Sequence, residues 1–385
     1  LDHPEENYPI IHVTGTNGKG SSIAFMSQLF AEHKKKVGTF TSPHMVIIYD
    51  RICVNHKPIS DKDFVRIGRR IQAMERQLLQ TQDPLSYFEI LTLIALLYFE
   101  EEQVDVALIE VGIGGLLDAT NVVIGDVAVV TSVGLDHQET LGDSIVAIAE
   151  QKAGIFKKKE RAVIGPLAEE ARRVCELRAD ELGVVLYEYG RDFSFSKGQF
   201  SNQDKMIVGL QLGLKGTYQE ENAAVALQSF LLFMKQQNWQ PQVKWIRKAL
   251  QETHWAGRLE YFERGIYLDG AHNLPALSRL VEFIRQQEQK EIFLLFGALK
   301  RKNYQGMLSY LKQELPDVRL TITTFEDDCA IDKRNLTTET YVSSYREFIE
   351  QFIKKSTDSQ LLFVTGSLYF IAEVRAFLLE KELTA

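Results

Sequence analysis

The sequence predicts an α/β protein of two units, each wound around a mostly parallel sheet. Two series of β-rich apolar runs alternating with helical periodicity point there, one filling the chain to about residue 255 and one beginning near Leu259. Such alternation is the signature of βαβ crossovers. A third observation is the turn after the first run, Val13-Thr14-Gly15-Thr16-Asn17-Gly18-Lys19-Gly20-Ser21, a glycine-rich loop between a strand and a helix. The 385 residues fit two or three domains, on a prior of about 100–200 residues each.

In chain order, strands are expected over residues 10–14, 37–41, 104–111, 127–133 and 161–164, with helices over 22–34, 61–81, 88–101 and 144–153. The run at 104–111 is almost wholly apolar, as in a strand covered on both faces. In 190–215, Phe193, Phe195, Phe200 and Ile207 alternate with polar residues among glycines, which predicts a small antiparallel excursion. Strands at 266–268, 292–296, 318–323 and 361–364 make the second series, and the boundary is placed at a hinge, 256–258, between 1–255 and 259–385. The lysine runs 34–36 and 157–159 are read as solvated helix or loop ends.

Composition narrows the function classes. The chain is 45% hydrophobic, enough for full cores, and its net charge is −8. An acidic chain argues against broad nucleic-acid or membrane-surface binding, so any anion site must be local. Three scattered cysteines indicate neither a disulfide framework nor a zinc knuckle. With no 18-residue apolar stretch and no signal pattern, a soluble cytoplasmic chain is expected.

The chemistry should lie beyond the carboxyl ends of the strands. The glycine turn puts backbone N–H groups and a helix dipole at one point, with Lys19 to reach the outer phosphates of a nucleotide. The strict P-loop pattern is not met, since Val13 stands in place of its first glycine and Gly20 follows the lysine; Gly15, Gly18 and Gly20 still let the backbone close on an anion. Thr41-Ser42-Pro43-His44 follows the second strand, Glu110 and Gly112-Ile113-Gly114-Gly115 the third, and Leu135-Asp136-His137 the fourth. Ser42 and Glu110 offer the hard oxygens that Mg²⁺ prefers, and His137 could complete a second metal site or simply cap a helix. Lys152, at a helix end, either complements the dipole or is a buried lysine of depressed pKa. The second series supplies Asp269-Gly270-Ala271-His272-Asn273 and Thr365-Gly366-Ser367-Leu368-Tyr369. Arg258 in the hinge could reach a phosphate or make an ordinary salt bridge.

Taken in order, these motifs resemble the folylpolyglutamate synthase/dihydrofolate synthase family of Mur-ligase-like ATP-dependent amide ligases, from His12 nearly to the C-terminus. The resemblance implies a P-loop-type parallel-sheet ATPase domain followed by a smaller Rossmann-like α/β domain that binds glutamate. It implies that Gly15, Thr16, Asn17, Gly18, Lys19, Gly20 and Ser21 form the ATP phosphate loop, with Asn222, Arg258 and Asp269 also on the nucleotide. Ser42, Glu110 and His137 would bind magnesium, and Lys152 matches a lysine that becomes carbamylated. Lys19, Lys152, Asp269 and His272 would be the catalytic set, and Arg51, His272, Ser367 and Tyr369 would hold substrates. The implied partners are ATP, a reduced folate and L-glutamate; nucleic acid and membrane are not expected, and the implied state is a monomer. ATP would phosphorylate the γ-carboxylate of the folate, glutamate's amine would displace the phosphate, and domain closure would exclude water.

Asp50 stands where the family often has glutamate, Leu116 where it has arginine, Leu274 where it has proline and Tyr218 where it has histidine. The family usually has some tens of residues before the phosphate loop where only 11 precede His12 here, so the resemblance implies a further N-terminal helical segment. Three alternatives share the phosphate loop: a dihydrofolate synthase using dihydropteroate, a cell-wall ligase using a UDP-sugar, and a non-catalytic ATP-binding protein. Intact Ser42, Glu110, His137 and Lys152 speak against the last.

Overall fold

A computed structural model describes residues 1–78, 83–158, 160–287 and 290–382. The chain divides into a first unit, Leu1–Gly213 with Gln219–Thr253, and a second, Leu214–Tyr218 with His254–Ala385.

In the first unit, β1 (Ile10–Thr14), β2 (Val37–Phe40), β3 (Ile52–Val54), β4 (Lys57–Pro58), β5 (Val106–Glu110), β6 (Val127–Val130), β7 (Arg161–Ile164) and β8 (Val185–Glu188) form one sheet, in the order β4-β3-β2-β5-β1-β6-β7-β8. The strands β2, β5, β1, β6, β7 and β8 run parallel, while β3 and β4 are antiparallel additions at one edge. All residues of β1, β5 and β6 are buried, which is why their sequences are nearly continuous in apolar residues rather than alternating. The crossovers are α1 (Lys19–Glu32), α2 (Asp61–Leu78), α3 (Tyr87–Glu101), α4 (Gln138–Leu141), α5 (Ile145–Ala153) and α6 (Glu169–Leu182). One core gathers Phe40, Ile109, Ile94 and Phe99; a second gathers Val130, Ala162, Phe156 and Cys175. The excursion is a three-stranded antiparallel sheet of β9 (Phe193–Ser196), β10 (Gln199–Asn202) and β11 (Met206–Ile207). Helices α7 (Tyr218–Gln236) and α8 (Val243–Glu252) complete the unit, with Phe30 of α1 edge-on to Phe230 of α7 at 4.9 Å between ring centres.

The second unit is a six-stranded sheet of β12 (Glu260–Phe262), β13 (Ile266–Leu268), β14 (Glu291–Phe296), β15 (Arg319–Thr323), β16 (Tyr341–Val342) and β17 (Gln360–Thr365), in the order β12-β13-β17-β14-β15-β16. It is parallel apart from the edge strand β12. Helices α9 (Leu274–Arg285), α10 (Tyr304–Glu314), α11 (Tyr345–Lys355) and α12 (Leu368–Glu382) connect and close it. Residues 214–218 belong here because Lys215 lies 4.8 Å from the Tyr261 ring and 4.9 Å from that of Tyr267, and Thr217 donates to Glu282. Cation–π and polar contacts of this kind carry no sequence periodicity, so the expected boundary near residue 256 does not foresee them.

Several expected bounds shift for local reasons. Helix α1 begins at Lys19, not residue 22, because Gly18 in the left-handed region (φ 89°) starts the helical turn directly. The strand expected to reach residue 133 ends at Val130, where Thr131 and Ser132 turn their hydroxyls to the glycine loop. The helix expected to residue 81 is described only to Leu78, the remainder lying outside the described residues. Lys157 corrects the solvated-run reading: it is half-buried and donates to the Asn121 carbonyl at 3.0 Å. Among the described residues no helix is long and apolar enough to cross a membrane. Cys53, Cys175 and Cys329 are all free thiols.

Candidate active site

At the C-terminal edge of the first sheet, the glycine loop is pinned by its neighbours rather than by itself. Thr16 N donates to Ser132 O at 2.9 Å, Asn17 N donates to the Ser132 hydroxyl at 2.9 Å, and Thr131 Oγ1 donates to Asn17 O at 2.6 Å. Gly15 adopts φ 153°, and a Cβ there would lie 1.9 Å from Thr131 Oγ1; one on Gly18 would lie 2.3 Å from Asn222 Oδ1. Both glycines are therefore demanded by close approach as well as by backbone angle. The same contact brings Asn222 to the loop, steadied by its own bond to Gln219, which in turn donates to Ser21 Oγ at 3.4 Å. Lys19 Nζ reaches across the loop to Gly15 O at 2.7 Å.

Lys152 is 3% exposed near the end of α5. Burial first, and then the positive charge of Lys19, hold its pKa down at about 7 against the opposing charge of Asp136. The structure thus brings Lys152 within reach of the charges of both Lys19 and Asp136. A lysine merely complementing a helix dipole would stay solvated and protonated, so that reading does not hold here.

Glu110, 4% exposed at the end of β5, accepts from Ser42 N at 3.1 Å through Oε2. His137 occupies the N-cap position of α4 with φ 51°, yet its side chain makes no capping bond; the helix-cap alternative is not what the ring does. Among the described residues no group of three or more His, Cys, Asp or Glu side chains has metal-holding geometry. The donor set nonetheless fits magnesium, since Ser42 and Glu110 supply hard oxygens and Mg²⁺ commonly completes its shell with phosphate oxygens and water.

Behind this edge lies a relay that sequence reasoning missed. Thr120 Oγ1 gives its proton to Asp118 Oδ1 at 2.6 Å, so His12 Nε2–H must donate to Thr120 at 2.9 Å. Asp118 Oδ2 accepts Ile113 N, and Asn121 donates to Leu116 O and Gly154 O. The loop after β5 is thereby tied to the end of the helix that carries Lys152. His12 is fully buried and its pKa falls to about 3. The short Leu117-Asp118-Ala119-Thr120-Asn121 run was a readable signal, because Asp and Asn in such clusters favour backbone-capping turns.

In the second unit, Asp269 is 5% exposed and each carboxylate oxygen accepts a backbone amide at 3.0 Å, from Leu259 and Ala271. Burial raises its pKa, while the charge of Arg258 pulls it down. Arg258 itself donates to Gly257 O at 3.1 Å. His272 donates through Nδ1 to Gly270 O at 2.8 Å. Asn273 caps α9. Ser367 is 3% exposed and its hydroxyl accepts Tyr369 N at 3.2 Å, capping the first turn of α12, whereas Tyr369 is 40% exposed. In the first unit Arg51 is buried and donates through Nε to His44 Nδ1 at 3.1 Å.

Two mostly parallel α/β units, one with a phosphate-type glycine loop and two lysines at its edge, define a nucleotide-dependent enzyme of the Mur ligase class. Residues 13–230 match the Mur ligase middle domain and residues 257–368 match the Mur ligase, glutamate ligase domain. The chain is 34% identical to the folylpolyglutamate synthase of Lacticaseibacillus casei, with 98% of this chain and 92% of that protein covered. It is 33% identical to the dihydrofolate synthase/folylpolyglutamate synthase of Bacillus subtilis strain 168, with 97% and 91% covered. A solved complex of FPGS with AMPPCP and folate superposes with TM-score 0.87 at 34% identity, covering 98% of this chain and 92% of that one. The chain belongs to the folylpolyglutamate synthase/dihydrofolate synthase family of Mur ligases and is an ATP-dependent ligase.

Proposed function

We propose that this protein adds L-glutamate to the γ-carboxylate of a reduced folate, with ATP consumed to form an acyl phosphate. The observation that carries the reading is the charge cluster at the first sheet's edge, where the phosphate-loop lysine, a buried second lysine and an acidic residue share one field. The complex of a 34% identical relative with AMPPCP and folate supports ATP and a folate as ligands.

The chemistry follows from the parts. The acceptor carboxylate attacks the γ-phosphorus of ATP, a carbon-bound oxygen forms the new O–P bond, and ADP leaves. Lys19 and the loop amides neutralise the transferring phosphoryl group, so catalysis is positioning and electrostatics. Bound to Ser42, Glu110 and His137, magnesium would supply further charge neutralisation at the phosphate oxygens. The glutamate amine then attacks the acyl carbon, the amide forms, phosphate leaves and the amine loses a proton. Lys152, with a pKa of about 7, is largely neutral in mildly alkaline solution, so its amine can add carbon dioxide to give a carbamate and a proton. Asp269, Arg258 and Asn222 would contact the nucleotide, Arg51 the acceptor, and His272, Ser367 and Tyr369 the incoming glutamate.

Glutamate-dependent phosphate release from ATP tests this, run with a reduced folate and with dihydropteroate as acceptors. Release with the folate alone establishes an elongating ligase. Release with dihydropteroate as well adds the second activity named for the Bacillus subtilis relative. Silence with both overturns the proposal.

A further inference from the structure

We propose that the outer face of α2 is a track for the γ-glutamyl tail of a polyglutamylated folate, with the internal α-carboxylates of the tail lying on Arg76, Arg70 and Arg69. This rests on the folate reading above and deepens it.

Helix α2 carries Lys62, Arg66, Arg69, Arg70 and Arg76, all exposed. At 3.6 residues per turn these cations fall within about 120° of arc, a single stripe about 21 Å long. The acidic residues of the helix lie off that stripe and are occupied elsewhere. Asp61 accepts the Tyr49 hydroxyl, Asp63 accepts from Ser60 Oγ and Arg66, and Glu75 accepts the amide of Leu85 at 2.8 Å. Arg66 is held by Asp63 and Glu101. Among the described residues Lys62, Arg69, Arg70 and Arg76 have no ion pair. Like charges three and four residues apart on a helix repel, and a solvated face ordinarily relieves them by alternating the sign. Here the sign is uniform, in a chain with 52 acidic residues against 44 Lys and Arg. The stripe is a local anion-seeking surface on an acidic protein.

The Arg76 end of the stripe stands on the acceptor's side of the reaction edge. Glu75 and Leu85 tie the last turns of α2 to the start of α3. There Tyr87 lies 5.9 Å from the Arg51 guanidinium, and Phe88 is so close to Gly112 that a Cβ on that glycine would meet its ring at 2.7 Å. Arg51 O in turn receives the amide of Thr41, whose neighbour Ser42 bonds Glu110. At the other end, Arg66 meets Glu101 in the last turn of α3. The stripe therefore begins beside the loops after β2 and β5 and runs away from them, with Arg76 nearest and Lys62 farthest.

A γ-glutamyl tail fits this surface in charge, spacing and direction. It bears one free α-carboxylate per residue, and arginine's planar fork matches a carboxylate. Backbone bonds of about 1.3–1.5 Å, five to a repeat, place the carboxylates of an extended tail roughly 6 Å apart, against a helical pitch of about 5.4 Å. Synthesis adds each glutamate at the terminus, so the earlier residues and the folate head must leave the reaction edge by one repeat per cycle. A row of long, exposed cations at that repeat can pass each carboxylate to the next without a fixed pocket for the head. Other polyanions fit less well. The apolar side of α2, with Ile67 and Ile71, is buried in the first unit's core, which leaves no face to insert into a membrane. The exposed neighbours of the cations, Gln72, Ala73 and Gln77, offer no ring on which a nucleic-acid base could stack.

The test measures KM of the full chain for reduced folates carrying one, three and five glutamates, read as an inhibition constant for any length that is not extended. In the wild type the constant should fall with tail length, and about 0.5 M salt should remove that advantage by screening exposed charges. Arg69→Gln combined with Arg70→Gln should raise the pentaglutamate constant roughly 3–10-fold, since exposed charge contacts are individually weak. KM for the monoglutamate should stay unchanged, and Arg69→Lys combined with Arg70→Lys should keep most of the advantage. Both positions are exposed, and a thermal melt checks that the fold is retained. A wild-type constant independent of tail length, an equal rise with mono- and pentaglutamate, or no change in the glutamine variant overturns the track. Loss of binding to single-stranded RNA or to anionic vesicles in that variant, with the pentaglutamate constant intact, also overturns it by giving the stripe to another polyanion. A wild-type chain that releases phosphate with no folate of any length would instead overturn the folate reading, and the track with it.

Discussion

The two units present the same kind of strand end and use it in opposite ways. At the carboxyl edge of the first unit's sheet the chain gathers charges in a buried setting: Lys152 of α5 in the field of Lys19, and Glu110 buried at 4% exposure. After β13 and β17 of the second, the titratable group is internally satisfied. Asp269 accepts two backbone amides, and Gly366 N and Thr365 Oγ1 both donate to Ala271 O. The first edge stores electrostatic potential for a ligand, whereas the second stores a shape. Strand ends favour sites because loops there are free to diverge; what a site does depends on which polar groups the fold leaves unsatisfied.

The contrast between the two edges breaks most sharply at Lys19. Lys19→Ala should lower ATP turnover by about 10²–10³-fold, the scale for removing one electrostatic stabiliser, with the melting temperature unchanged. Phosphate-release rates and a thermal melt read both. Wild-type turnover in that variant would remove the phosphate-loop assignment.

Lys152→Met comes next. Its folded pKa is about 7 against an ordinary 10.5, so between these values the unfolded chain holds a proton that the folded chain has released. Stability should therefore rise with pH across that window and carry the full burial penalty below it. Urea midpoints for the methionine variant should lack that slope and lie above wild type near pH 6. Turnover should be lost, and bicarbonate, which should raise the rate of the wild type in carbon-dioxide-free buffer, should not restore it.

In the second unit, expected effects are structural and smaller. Asp269→Asn replaces one accepting oxygen with a donor facing a backbone N–H, at a cost of about 1–3 kcal/mol. Denaturant unfolding measures it, and nucleotide binding to the folded variant separates a shape role from direct contact. Asn273→Ala should cost about 0.5–2 kcal/mol through the lost cap of α9, seen as a lower denaturation midpoint. A loss of folate affinity without a loss of stability, in either variant, would blur the division between the two edges.

Much of the fold was legible. Residues 10–14, 161–164 and 266–268 were read at their observed bounds because buried parallel strands leave unbroken apolar runs. The strands β3, β4 and β8 were not read: β3 is only three residues long, Lys57 and Pro58 are exposed, and Val185 is 56% exposed. At the candidate site, motif order singled out Lys19, Lys152, Glu110 and Asn222, and the structure puts Asn222 against Gly18, Lys152 in the field of Lys19 and Glu110 on Ser42 N. Thr131, Ser132, His12 and Thr120 escaped because their roles are contacts across strands, at separations no local spacing encodes.

The sequence alone determined the two α/β units, the glycine loop and the family, since each depends on local order: apolar runs, turn residues and motifs in register along the chain. Only the tertiary structure decided the depressed pKa of Lys152, the tautomer of His12, the helix-capping use of Ser367 and the bond from Arg51 to His44. Those properties are set by desolvation and by which charges the fold brings together, and neither exists until the chain has folded.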